Sequence, residues 1–215
     1  IAVRSAKEVW RLDGMIINNK VELCGLAVCE ATFSHRSRDR EFYTLPMEIC
    51  RLSGTADRVN VTASRELLPE GLRQGMRLRV TGELRSFNNR SGTGSRLVIS
   101  VFARELHEDE GEDMNEVLLS GTLCRRPNYR RTPMGREICD LMLAVNRRYS
   151  RSDYLPCIAW GQNAVMAQYW DVGERITLRG RLQSRKYIKT EDGQSVEKTA
   201  FEVSIVELLD EAGSI

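Results

Sequence analysis

From Lys20 onward the chain alternates hydrophobic and polar residues with a period of two, in short runs broken by Gly, Pro and polar clusters. Such alternation sends one set of side chains inward and the other to solvent, so the runs read as strands. Val21, Cys24, Leu26 and Val28 form the first, with a bend or bulge at Gly25. Glu41 to Arg51 reads as a second strand whose Pro46 suits an edge or bulge, and Asp57 to Ala63 as a third. A helical turn over Arg65 to Leu72, closed by Gly71 and Gly75, precedes a fourth strand (Met76 to Phe87) and a fifth (Leu97 to Leu106). Ser34 to Arg40 and Asn88 to Ser95 read as loops. Residues 1–19 hold no sustained period and are read as an arm.

The same order then recurs. Val117 to Arg126, Glu137 to Arg147 and Tyr154 to Trp160 read as strands. A basic hairpin (Pro127 to Gly135) separates the first two, and the loop RYSRSD separates the second from the third. Gln162 to Trp170 turns helical, and Arg175 to Lys189 and Lys198 to Leu209 complete the set around an Asp192–Gly193 tip. Gly25 matches Gly121 and Arg51 matches Arg147 at one offset, 121 − 25 = 147 − 51 = 96. MRLRVTGELRSF (Met76 to Phe87) resembles ERITLRGRLQSR (Glu174 to Arg185). The chain is therefore read as two copies of one β-β-β-α-β-β unit. The expected division is an arm (1–19), a first domain (20–107), an acidic linker (108–116), a second domain (117–209) and a short tail (210–215). Pattern alone allows a small β-barrel or an α+β domain. Five strands with a helix between the third and fourth is the order of the oligonucleotide-binding (OB) fold.

Charge adds a segregation that the net value of +2 conceals. Glu108, Asp109, Glu110, Glu112, Asp113 and Glu116 form an acidic run. Without it and the terminal Asp210–Glu211, both flanking regions are basic, and almost all of that charge is Arg. Arg suits phosphate because its planar fork binds bidentately and stacks on bases. The six cysteines form no CxxC pair and the two histidines lie far apart, so neither a zinc site nor a disulfide framework is expected. No apolar run approaches the ~18 residues of a membrane helix, and no secretory signal precedes the first strand. Reduced thiols then point to the cytoplasm.

Candidate chemistry concentrates in YLPCIAWGQNAVMAQYW (Tyr154 to Trp170). Tyr154 and Trp160 are six residues apart and share one face of a strand. Cations lie on either side in sequence: Arg126, Arg131 and Arg136 near the hairpin, Arg147 and Arg148, and Arg185 with Lys186. Rigid π-faces among cations hold unpaired bases. No Gly-Lys-Ser/Thr phosphate loop, metal-spaced cluster or Ser/His/Asp set is present, so no enzyme and no cofactor are expected.

Residues 115–209 closely resemble the bacterial single-stranded-DNA-binding protein family. The resemblance rests on VLLSGTLCRRPNYRRTPMG, LAVNR (Leu143 to Arg147), IAWGQNA (Ile158 to Ala164), GRLQSRKY (Gly180 to Tyr187) and FEVSIVELL, in that order. It implies a mainly β chain of two tandem five-stranded OB-fold barrels, each with a short helix between strands 3 and 4. It implies base stacking on Tyr149, Tyr154, Trp160 and Tyr187, with phosphate contacts from the cations just named. Single-stranded DNA is the implied partner, bound largely without sequence specificity in replication, recombination or repair, together with replication or repair proteins. Two tandem barrels resemble a fused dimer, so a homodimer carrying four OB folds is expected. The family usually has Lys where this chain has Gln162, and the family's acidic, aromatic tail tip has no match in DEAGSI. The first copy places Ser53, Arg58 and Ser64 where the second has Tyr149, Tyr154 and Trp160, so its stacking platform is expected to be reduced. It retains Arg36, Arg38, Arg40, Arg77, Arg79, Arg85 and Arg90 with Phe42, Tyr43 and Phe87. The alternative is a primosomal accessory or protein-interaction OB module that binds nucleic acid secondarily.

Overall fold

A computed structural model describes residues 11–12, 15–16, 18–89, 97–147, 151–191 and 194–209. The Asn88–Ser95 loop beyond residue 89, the Asp192–Gly193 tip, Arg90, Arg148, Tyr149 and the tail at 210–215 lie outside the described residues, as do the side chains of the arm before Asn18 and of Tyr187. The chain is mainly β and forms two compact units. One, here the N-terminal unit, comprises Val21–Glu116 with Leu182–Val203; the other, the C-terminal unit, comprises Ile1–Lys20, Val117–Arg181 and Ser204–Ile215.

In the N-terminal unit the strands are β3 (Asn19–Ala27), β4 (Thr32–Ser37), β5 (Arg40–Cys50), β6 (Ala56–Ser64), β7 (Arg77–Asn88) and β8 (Leu97–Glu108). Earlier in the chain lie two short strands, β1 (Arg11–Leu12) and β2 (Met15–Ile16), which pair with each other. Ladders run β3–β7–β8–β6–β5, and β5 returns to β3 through Leu26↔Glu48 and Ala27↔Met47. The circuit thus closes on itself, and β4 lies outside it, paired to β5. Ser34–Arg40, expected as a loop, is instead largely the β4–β5 hairpin, whose turn carries Arg38 and Asp39 at φ 48° and 61°. The helical turn expected over Arg65–Leu72 is a single 3₁₀ turn, Arg65–Leu67.

The C-terminal unit repeats this plan. Its elements are β9 (Met114–Leu123), β10 (Asn128–Arg131), β11 (Glu137–Arg147), β12 (Arg151–Trp160), α1 (Gln162–Ala167), and parts of β13 (Arg175–Glu191) and β14 (Gln194–Leu208). The strand order is β10–β11–β12–β14–β13–β9, and β9 pairs back to β11 at Leu143↔Leu123 and Ala144↔Thr122. These closing pairs are the N-terminal ones plus 96: 26 + 96 = 122, 48 + 96 = 144, 27 + 96 = 123 and 47 + 96 = 143. The β5–β6 and β11–β12 registers repeat likewise, Phe42↔Ser64 becoming Ile138↔Trp160. A one-residue slip would turn the buried face outward, so equality of register shows that both copies bury the same positions. Leu23, Met47, Val59 and Val80 are fully or almost fully buried in one unit, as are Leu119, Leu143, Leu155 and Leu178 in the other.

Gly25 and Gly121 show why glycine recurs at this offset. A Cβ on Gly121 would lie 2.8 Å from Val145 Cγ2 and 2.9 Å from Ala144 O. One on Gly25 would lie 2.7 Å from Ile49 Cγ1 and would also meet Glu48 O. Both glycines therefore mark a close crossing of the circuit-closing strands, where backbone and side-chain atoms together block growth. Gly121→Ala should destabilise by about 1–3 kcal/mol, the usual cost of overpacking a tight site, and urea denaturation checks it. An unchanged midpoint would refute the close-approach account.

A second repeated device is ionic. Arg51 Nε and Nη2 donate to Asp57 at 2.6 and 2.5 Å, and Arg147 Nε lies 2.7 Å from Asp153. The two pairs are again 96 apart: 51 + 96 = 147 and 57 + 96 = 153. Asp57 and Asp153 are 1% and 0% exposed. Each pair ties the end of one strand to the start of the next across the intervening loop.

Candidate nucleic-acid interface

β12 presents the aromatic face expected of it. Its burial alternates up to Cys157, with Asp153, Leu155, Cys157 and Ala159 inside, and Ile158 is covered as well. Tyr154 and Trp160 lie on the opposite face, 52% and 38% exposed. Through the β11 register, Tyr154 stands opposite Ala144 and Trp160 opposite Ile138. Ile138 in turn faces Arg130 on β10. Cα partners in antiparallel strands project to the same side, so Arg130 shares the face of Trp160. It was absent from the cations chosen by sequence. Within the dipeptide Arg130–Arg131 only the register tells which arginine joins the aromatic face.

The cations differ in what already holds them. Arg130 pairs with Asp140 at 3.1 Å. Arg131, opposite Glu137, pairs with it at 2.9 Å, and Tyr129 Oη donates to the same carboxylate. The hydrogen bonds from Arg131 and Tyr129 hold the Glu137 carboxyl below its ordinary range. Arg126 and Arg136 are exposed around the β10–β11 hairpin. Arg147 is engaged by Asp153, as described above.

Arg185 and Lys186 belong to the N-terminal unit, where they face Glu202 at 3.6 Å and Glu197 at 2.9 Å. Tyr187 follows on β13. The candidate residues are thus distributed over both units: Arg126, Arg131, Arg136, Arg147, Tyr154 and Trp160 in one, Arg185, Lys186 and Tyr187 in the other.

The acidic run, read from sequence as a linker, is engaged in the N-terminal unit. Asp109 pairs with Arg79 and Asp113 with Arg77, and the Cys50 N–H donates to Asp113 at 2.5 Å. Arg79 and then the Gly111 N–H hold the Asp109 carboxyl low. Burial pushes Asp113 up, but the Cys50 N–H and Arg77 outweigh it and leave that carboxyl low as well. Two cations retained in the first copy are therefore neutralised within the chain. Among the described residues no three His, Cys, Asp or Glu side chains gather to hold a metal, and no helix is long and apolar enough to cross a membrane.

Two five-strand circuits, one with exposed aromatics on its third long strand, define a mainly β protein with a duplicated strand plan. Residues 114–209 match the family model described as "Single-strand binding protein family". The single-stranded DNA-binding protein 1 of Lactococcus lactis is 32% identical over 45% of this chain and 69% of its own length. Single-stranded DNA-binding protein 2 of Streptococcus agalactiae is 33% identical over 45% of this chain and 77% of its own length. That of Oceanobacillus iheyensis is 32% identical, with 47% of this chain matching 66% of the relative. The wild-type single-stranded DNA binding protein from Thermus aquaticus shares the fold, with a TM-score of 0.73 at 23% identity over 92% of this chain and 94% of that one. The chain belongs to the single-strand binding protein family.

Proposed function

We propose that this chain is a non-enzymatic binder of single-stranded DNA, engaging it largely without sequence preference in replication, recombination or repair. The two strand circuits are read as tandem OB-fold barrels, α1 being the helix between strands 3 and 4 of the second. The observation that carries the reading is the exposed pair Tyr154 and Trp160 on one face of β12, within the segment that matches the family model. Bases stack on the pair, and Arg126, Arg130, Arg131, Arg136, Arg185 and Lys186 meet phosphate, with Arg148, Tyr149 and Tyr187 adding contacts by resemblance. Pairing with Asp140, Glu137 and Glu197 does not prevent this, because solvent-accessible ion pairs contribute little and exchange readily, and the exposed Arg185 approaches the buried Glu202 only to 3.6 Å. A homodimer carrying four barrels, work beside replication or repair proteins, and a cytoplasmic, nucleoid-associated location complete the proposal.

Titration with labelled oligo-dT and with duplex of matched length, over a salt series, tests it. The single strand should bind far more tightly. The logarithm of its binding constant should fall with the logarithm of salt at about −0.7 per phosphate neutralised. Equal response to both DNAs, or no response to either, would overturn the proposal.

A further inference from the structure

The N-terminal unit lacks aromatics at the positions of Tyr154 and Trp160, yet its outer face holds an aromatic cluster of its own. The swap is visible in one register pair. Phe42 on β5 faces Ser64 on β6, whereas at the equivalent pair Ile138 on β11 faces Trp160 on β12. The large ring has moved one strand across, and a small hydroxyl residue stands where the indole would be. Next to β6, β8 runs parallel and sets Phe102 beside Thr62. Phe42 and Phe102 lie 5.7 Å apart between ring centroids at a 39° tilt. His35 stacks on Phe42 at 5.0 Å and 12°. Arg104 and Arg85 stand over Phe102 at 5.2 and 5.7 Å.

Between these groups is an open, mostly apolar cleft of about 390 Å³, lined by Arg40, Phe42, Ser64, Glu66, Phe102 and Arg104 among others. That volume falls within the ~300–1,000 Å³ of small-ligand sites. The lining restricts the occupant. Two phenyl rings favour a flat apolar body. The guanidinium of Arg40 favours an anion beside it, as does that of Arg104, which here pairs with Glu83 at 2.9 Å and would have to exchange that partner for a phosphate. Glu66 disfavours an anion at its own end and accepts N–H donors. A nucleobase with its phosphate meets all three demands, since every base presents N–H groups on its pairing edge. A purely apolar peptide side chain meets only the first.

From this arrangement we infer that the cleft over Phe42 and Phe102 takes one unstacked base of single-stranded DNA, so that the N-terminal unit binds nucleic acid through its own relocated aromatics. The inference rests on the single-strand reading of the chain and extends it to a different face and different residues. Arg40 and Arg104 hold the backbone phosphates, and Glu66 receives the base edge.

Photocrosslinking of the full chain to an oligo-dT substituted with 5-iododeoxyuridine, followed by peptide mass spectrometry, tests it. Crosslinks are expected on peptides containing Phe42 or Phe102 as well as on those containing Tyr154 or Trp160. In a chain already carrying Tyr154→Ala and Trp160→Ala, adding Phe102→Ala should weaken oligo-dT binding by a further 5- to 100-fold, roughly one stacked base. Crosslinks confined to the Tyr154 and Trp160 peptides, or no further loss with Phe102→Ala, would overturn the inference while leaving the single-strand reading intact. No binding by the unsubstituted chain would overturn both. The crosslink is read without any substitution, so it decides the matter even if Phe102→Ala fails to fold.

Discussion

Alanine at both Tyr154 and Trp160 is expected to cost the chain at least roughly 30-fold in affinity for oligo-dT. A stacked base is worth about 1–3 kcal/mol by alanine substitution, so two lost platforms remove about 2 kcal/mol or more, and each 1.4 kcal/mol is tenfold in Kd. Both side chains lie on the outer face of β12, so the core beneath them stays packed and the far-ultraviolet dichroism should be unchanged. Anisotropy of a labelled oligonucleotide is the suitable readout, because Trp10 and Trp170 would complicate protein fluorescence. Tyr154→Phe and Trp160→Phe should restore most of the affinity, since a π-face is what they supply. A double alanine variant that binds as tightly as the unsubstituted chain would remove Tyr154 and Trp160 from the interface.

Arg147→Ala is expected to act on stability instead. Asp153 is fully buried and Arg147 Nε stands 2.7 Å from it. Removing one partner of a buried pair typically costs 3–5 kcal/mol, about 3 being expected here because the Arg is partly exposed. Arg51→Ala should cost a similar amount in the other unit, where Asp57 is equally buried. Urea denaturation measures both. Replacing both Arg147 and Asp153 with apolar residues of similar volume should recover much of the loss, because the desolvation penalty vanishes with the pair. If Arg147→Ala kept full stability and lost only oligonucleotide affinity, Arg147 would be a phosphate ligand rather than a strut.

The two predictions divide one group of sequence candidates by physical role. Tyr154, Trp160 and Arg147 stood together as site residues because aromatics among arginines suit unpaired bases. Accessibility separates them: the aromatics face out, while Arg147 reaches an aspartate six residues away that is wholly inside. Arg77 and Arg79 show the same limit. They read as retained basic residues on alternating positions of β7, yet Asp113 and Asp109 occupy them. The residues expected to form a linker instead fold back on the unit that precedes them. Local alternation predicts that a side chain faces out, but not which other segment meets it there.

Much of the strand framework was legible beforehand for a definite reason. A strand buried on one face must alternate, and a duplicated unit must repeat that alternation at a constant offset. The spacing of 96 between Gly25 and Gly121 reappears in strand register, in the circuit-closing pairs and in the Arg–Asp pairs. The misses were local. Ser34–Arg40 had the composition of a loop but forms half of a hairpin, because backbone pairing to β5 tolerates exposed polar side chains on both faces of an edge strand.

By itself, then, the sequence determined the two-copy β plan, the positions that must be buried or glycine, the outward aromatics of β12 and the family to which residues 114–209 belong. Tertiary structure decided which charges remain available, which of two adjacent arginines joins the aromatic face, and that Phe42 and Phe102, sixty residues apart in sequence (102 − 42 = 60), meet over a cleft. Alternation and repetition are written within a few neighbouring residues. Ion pairs, shared faces and clefts arise only when strands distant in sequence are set in register.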